Sequence, residues 1–275
     1  MVELGIVDIR EIIRIINNVY HYDFSSFALT SFKNSLEKVI AQNGLLNTEN
    51  LFRKLSEEPT FFDKFLNDLF VPSTEMFRDP SVWRWLREEY FPNLAPRHFD
   101  NFKIWIPQCV SGAELYTLCI LLKEMDLLDK VKIIATTYSN ESLSYVQSGK
   151  YPLKKLEISI ENYKRFQGVS TMESYYKLVS NEVIRDTSLI SNVEFIKDDI
   201  TFNKAPQNVK LVLFRNVMIY YNPTLQNQML DKINNCLSAS GHLIIGIKET
   251  LKAGNASHTA FEVVNENESV YKRKI

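Results

Sequence analysis

The sequence predicts an α/β protein preceded by an all-α segment, on three observations. Residues 1–90 carry apolar side chains at helical spacing. From residue 102 onward, short apolar runs rich in β-branched residues alternate with helical stretches. Between the two lies a proline break, Pro92-Asn93-Leu94-Ala95-Pro96. Strand–helix alternation of this kind implies a mostly parallel sheet with helices on both faces.

In the first segment, Phe32, Leu36, Val39 and Ile40 recur at three- and four-residue spacing, as do Phe61, Phe62, Phe65, Leu66, Leu69 and Phe70. Asp79-Pro80 reads as an N-cap followed by proline at the first helical position, opening a helix through Trp83, Trp85 and Leu86. After the break, strands are expected at Phe102–Ile106, Val131–Thr136, Val193–Ile196, Val209–Phe214 and His242–Ile247. Helices are expected at Leu115–Met125, Ser139–Ser148 and Pro223–Leu237.

Between Tyr151 and Ser191 the alternation lapses into a polar insert carrying Tyr163, Tyr175 and Tyr176. It is too long for an ordinary connection and reads as a small subdomain. The tail after Ala253 is polar, ends Lys272-Arg273-Lys274 and is expected to fray unless a partner orders it. The expected division is a helical domain at 1–75, a linker helix and linker at 76–96, an α/β domain at 97–253 with its insert at 151–191, and a tail at 254–275.

Composition narrows the function classes. Among 275 residues, 32 basic and 33 acidic side chains leave a net charge of −1, so no global field draws the chain to nucleic acid or an anionic membrane. Cys109, Cys119 and Cys236 lie in apolar runs without ligand spacing, which reads as buried free thiols in a reducing cytoplasm. The N-terminus lacks the pattern of a cleavable signal, and no apolar run approaches a membrane span. His21, His98, His242 and His258 show no spacing for a metal or a catalytic triad. A cytoplasmic protein without membrane insertion, nucleic-acid binding or metal is expected.

The most informative stretch is Phe214-Arg215-Asn216-Val217-Met218-Ile219-Tyr220-Tyr221. It follows an expected strand and puts Arg, Asn and two Tyr at that strand's carboxyl end, where open α/β sheets hold ligands. Alternation at the exit turns one tyrosine inward, and Tyr221 is assigned to the site. Asn216 could instead cap the following turn, and Arg78 could instead pair with Glu75 or Glu88 along a helix surface.

Four motifs together give the chain a likeness. They are Thr74-Glu75-Met76-Phe77-Arg78-Asp79; Trp105-Ile106-Pro107-Gln108-Cys109-Val110-Ser111-Gly112-Ala113-Glu114-Leu115-Tyr116; Ala135-Thr136-Thr137-Tyr138-Ser139 with Gly149-Lys150-Tyr151-Pro152; and Phe214 to Tyr221 with Gly241 to Glu249. In order and spacing the chain resembles the CheR family, chemoreceptor glutamate O-methyltransferases that use S-adenosylmethionine.

The resemblance implies a Rossmann-like S-adenosylmethionine-dependent methyltransferase domain joined to an N-terminal all-α domain, with a small inserted β-subdomain. It implies methyl transfer to glutamate carboxylates of a methyl-accepting chemotaxis receptor or a related signalling protein. By the same likeness, Thr74, Arg78, Gly112, Glu114, Thr137, Asp199, Ile200, Arg215 and Asn216 would bind the cofactor. Arg78 and Tyr221 would orient the reacting carboxylate.

The chain also departs from the family pattern. The family's first turn reads roughly Ala-Gly-Cys-Ser-Thr-Gly-Glu-Glu, and here Gln108 stands for a glycine and Ala113 for an acid. Thr137 stands where the family has an Asp that accepts from the ribose hydroxyls. Asp199-Ile200 replaces Asn-Leu, and Lys210 replaces an acid at the start of a strand. On the helix where the family carries an arginine cluster, Ser31–Lys38 retains only Lys33 and Lys38 around Glu37, which weakens steering toward an acidic partner. These departures set a second expectation beside the first: a catalytically inactive scaffold or binding protein of the same fold that has lost cofactor affinity.

Overall fold

Helices with one apolar stripe must bury it, and the first four do so against each other and against the α/β layer behind them. The computed structural model describes residues 4–70, 74–94, 99, 101–198, 203–251 and 259–274. Helices α1 (Ile6–Tyr20), α2 (Leu29–Gln42), α3 (Thr48–Glu57) and α4 (Phe61–Phe70) form the N-terminal layer. Its core is aromatic: Phe24 packs on Phe27, Phe32, Phe65 and Phe70 with ring centroids 5.0–6.5 Å apart. The α2 and α4 residues expected to be apolar-face residues are all buried.

Helix α5 (Pro80–Trp85) opens on proline, as expected, and runs on as a wider π turn through Tyr90. Asp79 differs from its expected role. It sits in the left-handed region at φ 54° and makes no side-chain cap to the helix. Its carboxylate is taken by Arg215 instead.

The large sheet has the order β6-β2-β1-β7-β8-β10-β9, its edge pair being β9 (Phe261–Asn265) and β10 (Val270–Arg273). Strands β1 (Lys103–Ile106), β2 (Lys132–Thr137), β6 (Glu194–Lys197), β7 (Val209–Phe214) and β8 (Leu237–Ile245) are parallel. Helices α6 (Ala113–Glu124), α7 (Asn140–Gln147) and α9 (Pro223–Cys236) connect them. Strand order reverses between β1 and β7, which makes their shared carboxyl ends the switch point where this architecture leaves a crevice. Lys103–Ile106 pairs with Lys132–Ala135 on one side, and Ile104–Trp105 with Leu211–Val212 on the other.

The inserted β-subdomain expected from the sequence is present, and one expectation, the fraying tail, is corrected. The insert also carries a helix: α8 (Leu156–Phe166) lies between β3 (Lys150–Tyr151) and β4 (Tyr176–Val179), and with β5 (Glu182–Arg185) these strands form a three-stranded antiparallel sheet in the order β3-β5-β4. The helix escaped notice because Ser159 and Asn162 break its buried face. They are there to bond the chain before α5: Ser159 Oγ accepts from Met76 N at 3.1 Å, and Asn162 Nδ2 donates to Met76 O at 3.2 Å.

The tail does not fray over its described length. β9 (Phe261–Asn265) and β10 (Val270–Arg273) form a hairpin that extends the large sheet through antiparallel pairing of β10 with β8. A polar turn closed by Ser269 N to Glu266 O at 3.2 Å joins them, and Val270 is fully buried. Among the described residues no helix is long and apolar enough to cross a membrane.

Candidate active site

A cavity of about 100 Å3 opens at the carboxyl ends of β1 and β7. Three segments wall it: the chain entering α5 with Thr74, Glu75 and Arg78; the Gln108–Glu114 turn after β1; and Arg215–Tyr220 after β7.

The turn after β1 is shaped by one glycine. Gly112 has φ 71° and stands at the N-cap of α6. A Cβ there would lie 3.0 Å from Val146 Cγ1 and 3.4 Å from Arg185 Nη1, so both conformation and space demand glycine. Ser111 Oγ sits 2.9 Å from Thr74 Oγ1, tying the turn to the chain entering α5.

Beneath the cavity lies a charged cluster. The Arg215 guanidinium donates to Glu114 Oε1 at 3.0 Å, to Asp79 Oδ2 at 2.8 Å and to the Arg78 carbonyl at 3.2 Å. Burial pushes the Glu114 carboxyl above its ordinary range, and Arg215 pulls it back. Glu114 therefore serves Arg215 first, and only its remaining lone pairs face the cavity.

Among the described residues, no hydrogen bond or ion pair engages the Arg78 guanidinium. Its neighbouring acids are engaged elsewhere: Glu75 with Lys155 at 3.3 Å, Glu88 with Arg87 at 2.6 Å and Asp79 with Arg215. Pairing with Glu75 or Glu88, which the sequence left open, is not seen.

The loop after β7 is held by Glu249, which sequence reasoning did not single out. Its carboxylate is buried and accepts from the backbone N–H groups of Asn216, Met218 and Gly246, each at 2.8 Å. Burial raises the carboxyl despite these donors. Asn216 takes φ 59°, a conformation asparagine tolerates, and lines the cavity. In the sequence Glu249 ends the Gly241–Glu249 segment of the fourth motif, which carried no assigned role for it.

The tyrosines are arranged opposite to expectation. Tyr220 lines the cavity and is half-buried, and its hydroxyl pKa is raised by burial and pulled back by Arg78. Tyr221 points into the core, its ring 5.2 Å from Phe27 and 6.4 Å from Phe214. Its hydroxyl faces that of Tyr138 without reaching hydrogen-bond geometry. The reason lies in the backbone: Met218–Tyr220 forms a 3-10 turn, which shifts the phase that a strand exit would have set. Phe27 and Tyr221 then form an antiparallel bridge, while Ala28 N donates to Tyr220 O at 2.9 Å. The N-terminal helices thus brace the loop.

Of the residues assigned from the sequence, Thr74, Arg78, Gly112, Glu114, Arg215 and Asn216 share the cavity. Thr137 ends β2, fully buried, and does not line it. Asp199 and Ile200 lie outside the described residues. Gln108, Ser111 and Tyr220 are wall residues outside that assignment.

Comparison with known proteins bears on the same segments. Residues 72–269 match the family described as CheR methyltransferase, SAM binding domain. The Cher3 protein of Pseudomonas putida is 32% identical over 245 residues, covering 89% of each chain. A chemotaxis protein methyltransferase of Borreliella burgdorferi is 24% identical over 255 residues, covering 89% of this chain and 88% of that one. Chemotaxis protein methyltransferase 1 of Pseudomonas aeruginosa is 24% identical over 225 residues, covering 78% and 80%. With its parallel sheet, its crevice at the switch point and this match over most of its length, the chain belongs to the CheR family of S-adenosylmethionine-dependent methyltransferases.

Proposed function

We propose that the chain transfers the methyl group of S-adenosylmethionine to glutamate carboxylates of chemotaxis receptors or related signalling proteins. The observation that carries this reading is the cavity wall, on which the Arg78 guanidinium, without an ion-pair partner among the described residues, and Tyr220 stand with the Gly112 turn, Arg215 and Asn216. The residues suit the cofactor: a glycine turn at a helix N-terminus, an acidic side chain at Glu114 and a sealed, unpaired Gln108 oxygen. Thr74, Arg78, Gly112, Glu114, Arg215 and Asn216 would hold it. When bound, it supplies an electrophilic methyl carbon on a sulfonium.

The rest of the chemistry is positioning. A glutamate carboxylate is already a nucleophile, so alignment and exclusion of water carry the step. Arg78 orients the carboxylate through charge-assisted hydrogen bonds. Tyr220 offers a hydroxyl from the same wall and takes the part the sequence gave to Tyr221.

The test is transfer of labelled methyl to receptor cytoplasmic fragments, with methyl esters recognised by release of methanol in mild base. Label that is base-stable, or transfer that survives Arg78→Ala, would sink the reading.

A second reading, a binding protein of the same fold without methyl transfer, is favoured by cavity size. About 100 Å3 is available, whereas small-molecule sites commonly offer roughly 300–1,000 Å3. Thermal stabilisation by S-adenosylhomocysteine would argue against it, because a ligand that binds only the native state raises the melting temperature.

A further inference from the structure

Two arginines are buried around the cavity turn, and they differ in counter-charge. Arg215 is matched by Glu114 and Asp79. Arg185, the last residue of β5 in the insert, is 2% exposed and forms no ion pair among the described residues. Its chain neighbour Asp186 is engaged elsewhere, accepting from Ser188 N at 3.1 Å and Ser188 Oγ at 2.7 Å. Arg185 Nε donates to Gly149 O at 3.2 Å and Nη2 to Lys150 O at 2.9 Å, while the sealed Nη1 has no acceptor. The guanidinium lies over the Tyr116 ring, 4.0 Å from its centroid, with the Tyr151 ring at 5.2 Å. The titratable groups that face it are Tyr116, Tyr145, Tyr151 and Cys109. Burial pushes Tyr116 and Cys109 up to about 12 and raises the other two, so all four are neutral. A ring face attracts a cation without cancelling its charge, and an uncompensated buried charge is costly.

Gly112 shows where that charge is felt. A Cβ on Gly112 would lie 3.4 Å from Arg185 Nη1, so the nitrogen stands against the N-cap of α6. Gly112 lines the cavity and Arg185 does not, which puts the cation one residue behind the wall. The N-terminus of a helix is itself a partial positive charge, and α6 runs for 12 residues from this cap. Two positive sources therefore add at one stretch of wall. The acids that line the cavity are committed, Glu114 to Arg215 and Glu75 to Lys155. An anionic group of a ligand at the Gly112 turn would supply the missing counter-charge.

We infer that Arg185 is a positioning residue for the carboxylate at the amino-acid end of S-adenosylmethionine, acting through the Gly112 turn together with the α6 N-terminus. The inference rests on the reading that this cavity takes that cofactor. Arg185 does not touch the ligand on this account. Its charge biases the turn toward an anion, and the Gly149 and Lys150 carbonyls with the Tyr116 ring hold it in place. The insert thereby takes a share in cofactor binding, because its own strand β5 carries the cation.

Calorimetric titration of the whole chain with S-adenosylhomocysteine and with its carboxamide, which removes the charge and keeps the outline, tests this. Wild-type protein should prefer the carboxylate ligand about tenfold or more, the scale of charge-assisted binding. Arg185→Gln keeps a donor for the carbonyls and loses the charge, and should cut that preference about three- to tenfold by weakening the carboxylate ligand. Arg185→Lys keeps the charge and should retain most of the preference. A role confined to folding would weaken both ligands alike in Arg185→Gln, and that result overturns the inference, as does a preference left at the wild-type value. Equal affinity of wild-type protein for the two ligands also overturns it, whether or not either variant folds. These three results leave the methyltransferase reading standing. Wild-type protein that binds neither ligand up to millimolar concentration overturns both.

Discussion

Arg215 and Glu114 meet at 3.0 Å across the floor of the cavity, and the same guanidinium holds Asp79 at 2.8 Å. Its side chain is only 2% exposed, so it is a buried cation whose charge is matched by two acids on different segments. Removing it leaves Glu114 and Asp79 without their counter-charge in a poorly solvated place. Arg215→Met should therefore destabilise the protein by roughly 3 kcal/mol, the scale for breaking a buried ion pair. Glu114→Gln, which keeps a hydrogen-bond acceptor for Arg215, should cost less. Urea midpoints for the three proteins give the comparison. Equal midpoints for wild type and Arg215→Met would mean that the cluster is structurally idle.

Tyr220 and Tyr221 are adjacent in sequence and opposite in surroundings. Tyr220→Phe removes a hydroxyl from the cavity wall, and turnover should fall about 10²-fold, as when one oriented donor is deleted from an active site. Tyr221→Phe removes a hydroxyl that faces Tyr138 inside the core, and turnover should stay within about twofold while melting temperature shifts by a few degrees at most. Steady-state rates of base-labile methyl incorporation distinguish them. The reverse pattern would restore Tyr221 to the site.

Partner steering gives a third expectation. Lys33 on α2 lies 3.7 Å from Glu37, whose carboxylate also accepts from Leu4 N at 3.2 Å, so this face offers an acidic partner little net charge. Methyl transfer to an acidic receptor fragment should then lose less than about threefold in kcat/KM between 50 and 200 mM salt, because screening matters only where charges steer. A steep salt dependence would point to another basic surface.

How much of this was legible in the chain follows from what each element needs. Val209–Phe214 could be placed to the residue because five of its six residues are apolar and buried, as a strand covered on both faces requires. Helix α8 could not, since Ser159 and Asn162 spend polar side chains on tertiary bonds to Met76 and blur the apolar period. The C-terminal hairpin was hidden for a related reason. β9 has one buried residue, Phe261, while Val263 and Val264 face outward, so its edge pairing shows only in three dimensions. At the site, Arg78, Gly112 and Asn216 were readable because local motifs carry them. The direction of Tyr220 was not, because a 3-10 turn and a bridge to Phe27, nearly 200 residues away, set it.

His242 supplies a pH signature outside the cavity. It is largely buried beside Tyr90, with Nδ1 3.4 Å from the phenolic oxygen, and burial pushes its pKa down from 6.5 to about 4, helped by Lys272 and opposed by Glu262. The unfolded chain takes up a proton near pH 6.5, whereas the folded protein resists until about pH 4. Stability from this group is full above pH 6.5 and lost as pH falls toward 4, by up to roughly 2–3 kcal/mol. His242→Leu should remove that part of the acid sensitivity. Parallel urea curves at pH 7 and pH 5 check it, and an unchanged pH slope in the variant would rule out His242 as the source.

Gly246 closes the site from behind. A Cβ there would lie 2.7 Å from Asn216 Oδ1 and 2.9 Å from Glu249 Oε2, and of the two the carboxylate is the anchored one. Glu249 is fixed by the N–H groups of Asn216, Met218 and Gly246. Gly246→Ala should therefore cost about 1–3 kcal/mol, the range for overpacking, and should also push Asn216 off the cavity wall. Affinity for S-adenosylhomocysteine should drop at least tenfold in protein that still melts cooperatively. Gly44→Ala is the matched control. Gly44 has φ 62° at the end of α2, nothing lies within 4 Å of its added methyl, and it is remote from the cavity. That substitution should cost about 1 kcal/mol of backbone strain and leave ligand affinity unchanged. If both variants bind equally well, the Asn216–Glu249 loop does not depend on Gly246.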